Sequence, residues 1–141
     1  MIYLHCFVGV DKLKINVIEE IRRVFGDKCL EDIEGYLENV LIKKPKKEGI
    51  EKCLLLKKIF SNIVRISILS LLAQASLPVC ALVAILGRDQ TLISHNLTAL
   101  KRMGIIHEKR VKKYKIYSLN KEKIRELFED ICLFLNIGKD E

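Results

Sequence analysis

The sequence has no tryptophan, two prolines, three histidines and seven glycines among its 141 residues. So little glycine and proline excludes collagen-like and low-complexity chains, and a composition that is 50% apolar excludes disorder. Long apolar runs are also missing. Arg65 interrupts the longest candidate before it reaches the roughly 18 residues a membrane-spanning helix needs, so no membrane partner is expected. The start, Met1-Ile2-Tyr3-Leu4-His5, lacks the basic region of a signal peptide, and the expectation is a mature, soluble, cytoplasmic protein. The five cysteines, at positions 6, 29, 53, 80 and 132, form no CxxC pair. That spacing signals neither a zinc ribbon nor a disulfide framework and suits a reducing compartment.

Motifs of catalysis are absent too. There is no glycine-rich phosphate loop, no HExxH, no serine or cysteine elbow, and few histidines to act as bases. Carboxylates such as Glu19, Glu20 and Asp27 sit near cations on amphipathic segments and read as solvated faces. The chain is therefore read as having no catalytic residues and no cofactor.

What the sequence does have is positive charge in one place. Its net charge is +7. Residues 1–50 carry nine basic and nine acidic side chains, whereas residues 51–141 carry sixteen and nine. Between Lys101 and Lys115 there are seven basic residues and one acid, Glu108. Charge that dense on a short stretch points to a polyanionic partner such as nucleic acid.

The charged stretch Lys43-Lys44-Pro45-Lys46-Lys47-Glu48-Gly49 separates two apolar-patterned parts. The expected organisation is an N-terminal extension over 1–42, a linker over 43–50 and a larger domain over 51–141. In the extension, Ile2, Leu4, Cys6 and Val8 alternate with polar or aromatic neighbours and predict a short strand. Ile15, Ile18, Arg22 and Phe25 predict a first helix; Leu30, Ile33, Leu37 and Val40 predict a second, running to about Ile42. Fifty residues with such stripes cannot bury both faces alone, so this part is expected to contact the second half or a partner.

The larger part predicts helices over Glu51–Phe60, Ile63–Gln74, Val79–Leu86 and, from an Asp89 N-cap, to Met103. Pro78 and Gly87 stand where a helix starts and stops. A basic hairpin follows, with strands Ile105–Arg110 and Tyr114–Leu119, then a last amphipathic helix over Lys121–Asn136. The fold class is mainly α (α+β): a winged helix-turn-helix with a two-stranded wing, plus the N-terminal strand and two helices.

On the helix over 89–103, at about 100° per residue, Ile93, Leu97 and Leu100 share an inward face. Thr91, Ser94, His95, Thr98 and Arg102 share the opposite one, which carries no acid. Short hydrogen-bonding side chains followed by Lys101 and Arg102 suit the major groove of double-stranded DNA.

Residues Ile59 to Asn120 resemble the ArsR/SmtB type of winged-helix regulator. The resemblance is carried by Ile59-Phe60-Ser61-Asn62, Arg65-Ile66-Ser67-Ile68-Leu69 and Leu77-Pro78-Val79-Cys80-Ala81-Leu82. It continues through Gln90-Thr91-Leu92-Ile93-Ser94-His95-Asn96-Leu97, Leu100-Lys101-Arg102-Met103-Gly104-Ile105-Ile106 and Tyr117-Ser118-Leu119-Asn120. With its flanking helices it covers about 51–136. It implies a homodimer paired through the helices carrying Cys53 and Cys132. It implies base contacts from Gln90, Thr91, Ser94, His95 and Asn96, and wing contacts from Lys112, Lys113 and Lys115 beside Arg110. The placement of cations gives the same wing assignment independently, because phosphate contacts need positive charge.

The departures bear on the signal. Where family members that sense thiophilic metals have Cys-Val-Cys, this chain has Pro78 and then Cys80, and its last helix contains no His. No metal site is expected, since one thiolate is not a tetrahedral set. Some relatives sense oxidants through a cysteine pair, which Cys132 could form with Cys80 or Cys53. Cys132 lies between Ile131 and Leu133, however, and reads as a packing cysteine. Two functions stand at this point: a dimeric, sequence-specific repressor with helix 89–103 in the major groove and the wing 106–118 on phosphates, or a winged-helix adaptor that binds a protein through its N-terminal extension.

Overall fold

The computed structural model describes residues 14–138, in two units that divide between Glu48 and Gly49. The strand expected over residues 2–8 lies outside the described residues.

In the first unit, strand β1 (Ile15–Asn16) leads directly into helix α1 (Val17–Phe25), where Asn16 Oδ1 accepts from the Glu19 N–H at 3.2 Å as an N-cap. A 3₁₀ turn (Asp27–Cys29) and a four-residue helix α2 (Glu34–Leu37) follow, then strand β2 (Leu41–Ile42). The strands pair antiparallel, Ile15 with Ile42 and Asn16 with Leu41. The second helix expected to run to Ile42 is thus corrected to a single turn. Asn39 takes a left-handed φ of 62°, which an asparagine tolerates and a helix does not, and the chain leaves it extended. Of the four apolar positions that suggested the helix, Leu30 is buried. Arg22 holds the unit's polar side together, reaching Asp27 at 2.7 Å and Glu34 at 3.3 Å.

Helix α3 (Lys47–Ile59) opens the larger unit and begins inside the stretch expected to be linker. The reason is local packing. A Cβ at Gly49 would collide with the ring of Phe134, so this glycine permits a close helix crossing and does not mark a flexible joint. Helix α4 (Ile63–Leu72) starts at Asn62, whose Oδ1 accepts from the Arg65 N–H at 2.9 Å. Strand β3 (Leu77–Pro78) precedes helix α5 (Val79–Leu86), which Gly87 ends with a left-handed φ of 61° and an N–H bonded to Val83 O at 2.9 Å. Helix α6 (Gln90–Arg102) begins at Asp89, whose carboxylate accepts from the N–H groups of Thr91 and Leu92 at 2.9 and 3.2 Å.

Strands β4 (Ile106–Val111) and β5 (Tyr114–Leu119) form the hairpin, and helix α7 (Lys121–Phe134) closes the unit. The sheet order is β3-β5-β4, all antiparallel, so the two-stranded wing gains a short third strand at its base. Proline at this edge costs no ladder hydrogen bond on its solvent side. The core is one cluster drawn from every helix of the unit and from the sheet: Ile59, Ile68, Leu82, Ile93, Leu97, Leu100 and Ile105 are fully buried.

Gly49→Ala is expected to destabilise the larger unit by about 1–3 kcal/mol, the usual cost of forcing an extra methyl into a packed contact. Urea unfolding measures it; unchanged stability would mean that the Phe134 ring moves aside freely.

Candidate nucleic-acid interface

Helix α6 separates its two roles by rotation. Ile93, Leu97 and Leu100 are 0–1% exposed and anchor it on α4 and α5. Gln90, Thr91, His95, Thr98 and Arg102 are exposed on its outer side, and Ser94 is half-buried among them. Thr98 Oγ1 donates to Ser94 O at 3.0 Å, which leaves its oxygen free to accept from a ligand. These are side chains that carry donors and acceptors without fixed charge, on a helix whose first turn is capped and whose last turn is basic.

Asn96 is a correction. It is 4% exposed and faces inward, and both the nitrogen and the oxygen of its amide are hydrogen-bonded. Asn96 Nδ2 donates to Leu92 O at 2.9 Å, while its Oδ1 accepts from Arg65 Nε at 3.1 Å and Asn62 Nδ2 at 3.4 Å. Arg65 also donates to Lys58 O at 2.6 Å and Ser61 Oγ at 3.2 Å. The asparagine therefore ties α6 to the start of α4 and is not part of the exposed face. At about 100° per residue it lies next to Leu100 and Ile93 on the inner side, a signal the sequence already carried.

The wing extends from the end of α6. Asn120 fixes its base, donating to Gly104 O at 3.0 Å through Nδ2 and to Ile105 O at 2.8 Å through its N–H. Val111 pairs with Tyr114, so Lys112 and Lys113 alone form the tip. Arg110, Lys112, Lys113 and Lys115 are all exposed, and Lys113 Nζ lies 5.4 Å from the Tyr114 ring centroid. Lys101 and Lys115 are not isolated cations. Both reach Glu108, at 3.1 and 3.7 Å, and the Tyr117 hydroxyl donates to the same carboxylate at 2.9 Å. Sequence reading assigned no role to Glu108; the available signal was that it is the one acid among seven bases.

Cys80 is exposed and Cys132 half-buried, both as free thiols. Among the described residues no group of three or more His, Cys, Asp or Glu could hold a metal ion, and no helix is long and apolar enough to cross a membrane.

The hydrogen bond and charge of Lys101, followed by the Tyr117 hydroxyl, hold the Glu108 carboxyl below the ordinary value of 4.5. Burial first, then Glu108, pushes the Tyr117 phenol from 10.0 up to about 12. A lowered carboxyl stabilises the fold above its ordinary pKa and loses that contribution as pH falls through the folded value; a raised phenol contributes below 10.0 and loses it on the way to about 12. Subtracting the tyrosinate absorbance titration of Tyr117→Phe from that of the natural chain is expected to leave one phenol titrating near 12. A difference curve centred near 10.0 would break the Tyr117–Glu108 assignment.

Comparison with known proteins gives a consistent result. A profile of the family described as bacterial regulatory protein, arsR family, matches residues 63–108. MJ1325 of Methanocaldococcus jannaschii, described as an uncharacterized HTH-type transcriptional regulator, is 31% identical over 83 residues, 58% of this chain and 93% of that protein. Among solved structures, the homodimeric winged helix-turn-helix DNA-binding domain (fragment 1–100) of Mb0332 from Mycobacterium bovis, a possible ArsR-family transcriptional regulator, matches with a TM-score of 0.52 at 26% identity. That match covers 70% of this chain and 92% of that one. The transcriptional repressor BigR of Xylella fastidiosa matches with a TM-score of 0.50 at 28% identity, covering 62% and 88%.

Proposed function

The chain belongs to the ArsR family of winged helix-turn-helix transcriptional regulators, which bind DNA and are not enzymes, and on that premise we propose that it is a homodimeric, sequence-specific repressor. The observation that carries the reading is the two-sided helix α6, whose apolar side is buried to 0–1% while Gln90, Thr91, Ser94, His95, Thr98 and Arg102 line the other. These side chains read base edges in the major groove. Arg110, Lys112 and Lys113 contact phosphates from the wing, fixing orientation without reading sequence. The protein represses by occluding a promoter. Cys80 and Cys132 take no part in this reading, which needs no metal or cofactor.

Dimer formation is supported by apolar side chains left exposed on, or just after, the first helix of the larger unit and on its last. Leu54, Phe60, Phe128 and Leu133 are all exposed, and the Phe60 and Phe128 rings lie 6.3 Å apart at 57°. Covering them with a second copy removes apolar area from water. The described part of the extension supplies a further contact surface. Val24, Phe25, Ile33, Tyr36, Leu41 and Ile42 are exposed there, which keeps a protein partner as the second reading for that unit.

Anisotropy titration with DNA from upstream of the protein's own gene, against scrambled DNA at about 150 mM salt, tests the reading. A preference of about 10³-fold or more is expected; equal weak binding to both would overturn it. Within that assay, Ser94→Ala or His95→Ala should cost about 1–3 kcal/mol on the promoter DNA alone. Lys112→Ala with Lys113→Ala should weaken both duplexes together and flatten the salt slope by about 1.8. For assembly, sedimentation of Phe128→Glu is expected to give monomers with weakened promoter binding, and a stable dimer would move the interface elsewhere.

A further inference from the structure

Glu108 stands among cations by construction. Alternate residues of a strand point the same way, so Glu108 and Arg110 share a face of β4, with Lys115 and Tyr117 opposite them on β5. Arg110 is paired directly with Lys115, a like-charge pair that works against the hairpin. Lys101, from the last turn of α6, reaches the same place. The carboxylate gathers these groups: Oε2 accepts from Lys101 Nζ at 3.1 Å, while Oε1 has Lys115 Nζ at 3.7 Å and the Tyr117 hydroxyl at 2.9 Å. The Glu108 side chain is 22% exposed, against 51% and 55% for the two lysines, so the acid lies beneath them. Among the described residues, Arg102, Lys109, Arg110, Lys112 and Lys113 have no such acidic partner.

We propose that Glu108 limits sequence-independent DNA affinity by holding Lys101 and Lys115 on one carboxylate and so withdrawing two of the seven cations from phosphate contact. The proposal rests on the DNA-binding reading above. A phosphate that approaches either ammonium group must displace Glu108 or accept its negative charge within a few ångströms. Neither lysine then releases DNA counterions, which is where non-specific affinity comes from. The Tyr117 hydroxyl holds the carboxylate in place, because Tyr117 lies directly opposite Glu108 on the same face and is itself buried. A regulator searching a genome gains from this, since weak binding to bulk DNA leaves more protein for its own site.

The test uses the full chain and a labelled duplex of scrambled sequence, titrated over a series of salt concentrations. Glu108→Gln removes the charge but keeps an acceptor for Tyr117. It is expected to steepen the slope of log K against log salt by about 0.9–1.8, one to two added phosphate contacts, and to tighten binding several-fold. Lys101→Ala should leave the slope of the natural chain unchanged but remove about 0.9 from that of Glu108→Gln. An unchanged or shallower slope in Glu108→Gln overturns the proposal. So does a slope shallower by about 0.9 in Lys101→Ala alone, a readout that needs no variant at position 108 to fold. If the natural chain prefers no promoter DNA, the repressor reading fails while the slopes still decide the role of Glu108. If neither the natural chain nor Glu108→Gln binds any duplex, both readings fall.

Discussion

The exposed face of α6 depends on one hydrogen-bonded junction behind it, centred on the buried Asn96. Asn96 is a polar side chain in the core face of α6, and burying an unsatisfied amide costs roughly 1–3 kcal/mol. Its acceptor is met by Arg65 and Asn62 and its donor by Leu92 O, so the cost is avoided in one rotational setting of the helix. Apolar contacts alone would hold α6 against its neighbours but tolerate sliding. A guanidinium that also bonds Lys58 O and Ser61 Oγ does not, because its fork has fixed directions. The side chains on the opposite face are therefore aimed by a contact on the inner side of the helix.

From that setting the wing follows. Ile105, fully buried, carries the chain from the end of α6 into β4, and its carbonyl accepts from Asn120 at the start of α7. One asparagine thus joins the end of α6, the wing and the last helix, and its own side chain caps that last helix through Lys123 N at 3.2 Å. Helix, wing and last helix are linked by short polar bonds around a common apolar cluster. A displacement of α7 has a direct route to the base of the wing.

Much of this was legible in the residues. The buried positions of α6, the Asp89 cap, the Gly87 stop and the hairpin strands follow from period and capping rules that act within a few residues. The failures have physical reasons as well. Gly49 read as a breaker because its partner, Phe134, is far along the chain, and a close helix crossing leaves no local mark. The stripe Leu30, Ile33, Leu37 and Val40 has helical spacing, yet Asn39 turns left-handed after one turn of helix and a two-residue pairing with Ile15 and Asn16 takes the end of the segment. Asn96 was placed among the DNA contacts by the family resemblance, although its angle on the helix put it inside. Glu108 was visible as a lone acid, but its partners became known only with the strand register.

The tip of the wing carries the opposite compromise to its base. Lys112 has a left-handed φ of 56°, a conformation that costs a residue with a Cβ about 1–2 kcal/mol and glycine almost nothing. A two-residue turn selected for stability alone would carry Asn-Gly or Asp-Gly. Here two lysines occupy it, and one of them rests near the Tyr114 ring, which holds the cation without neutralising it. At the base an acid restrains two lysines; at the tip two lysines are displayed despite the turn they must adopt. Stability accounts for the acid at the base, which its partners hold as a carboxylate, but not for two lysines in the turn; the phosphate contact proposed for the tip accounts for the second placement.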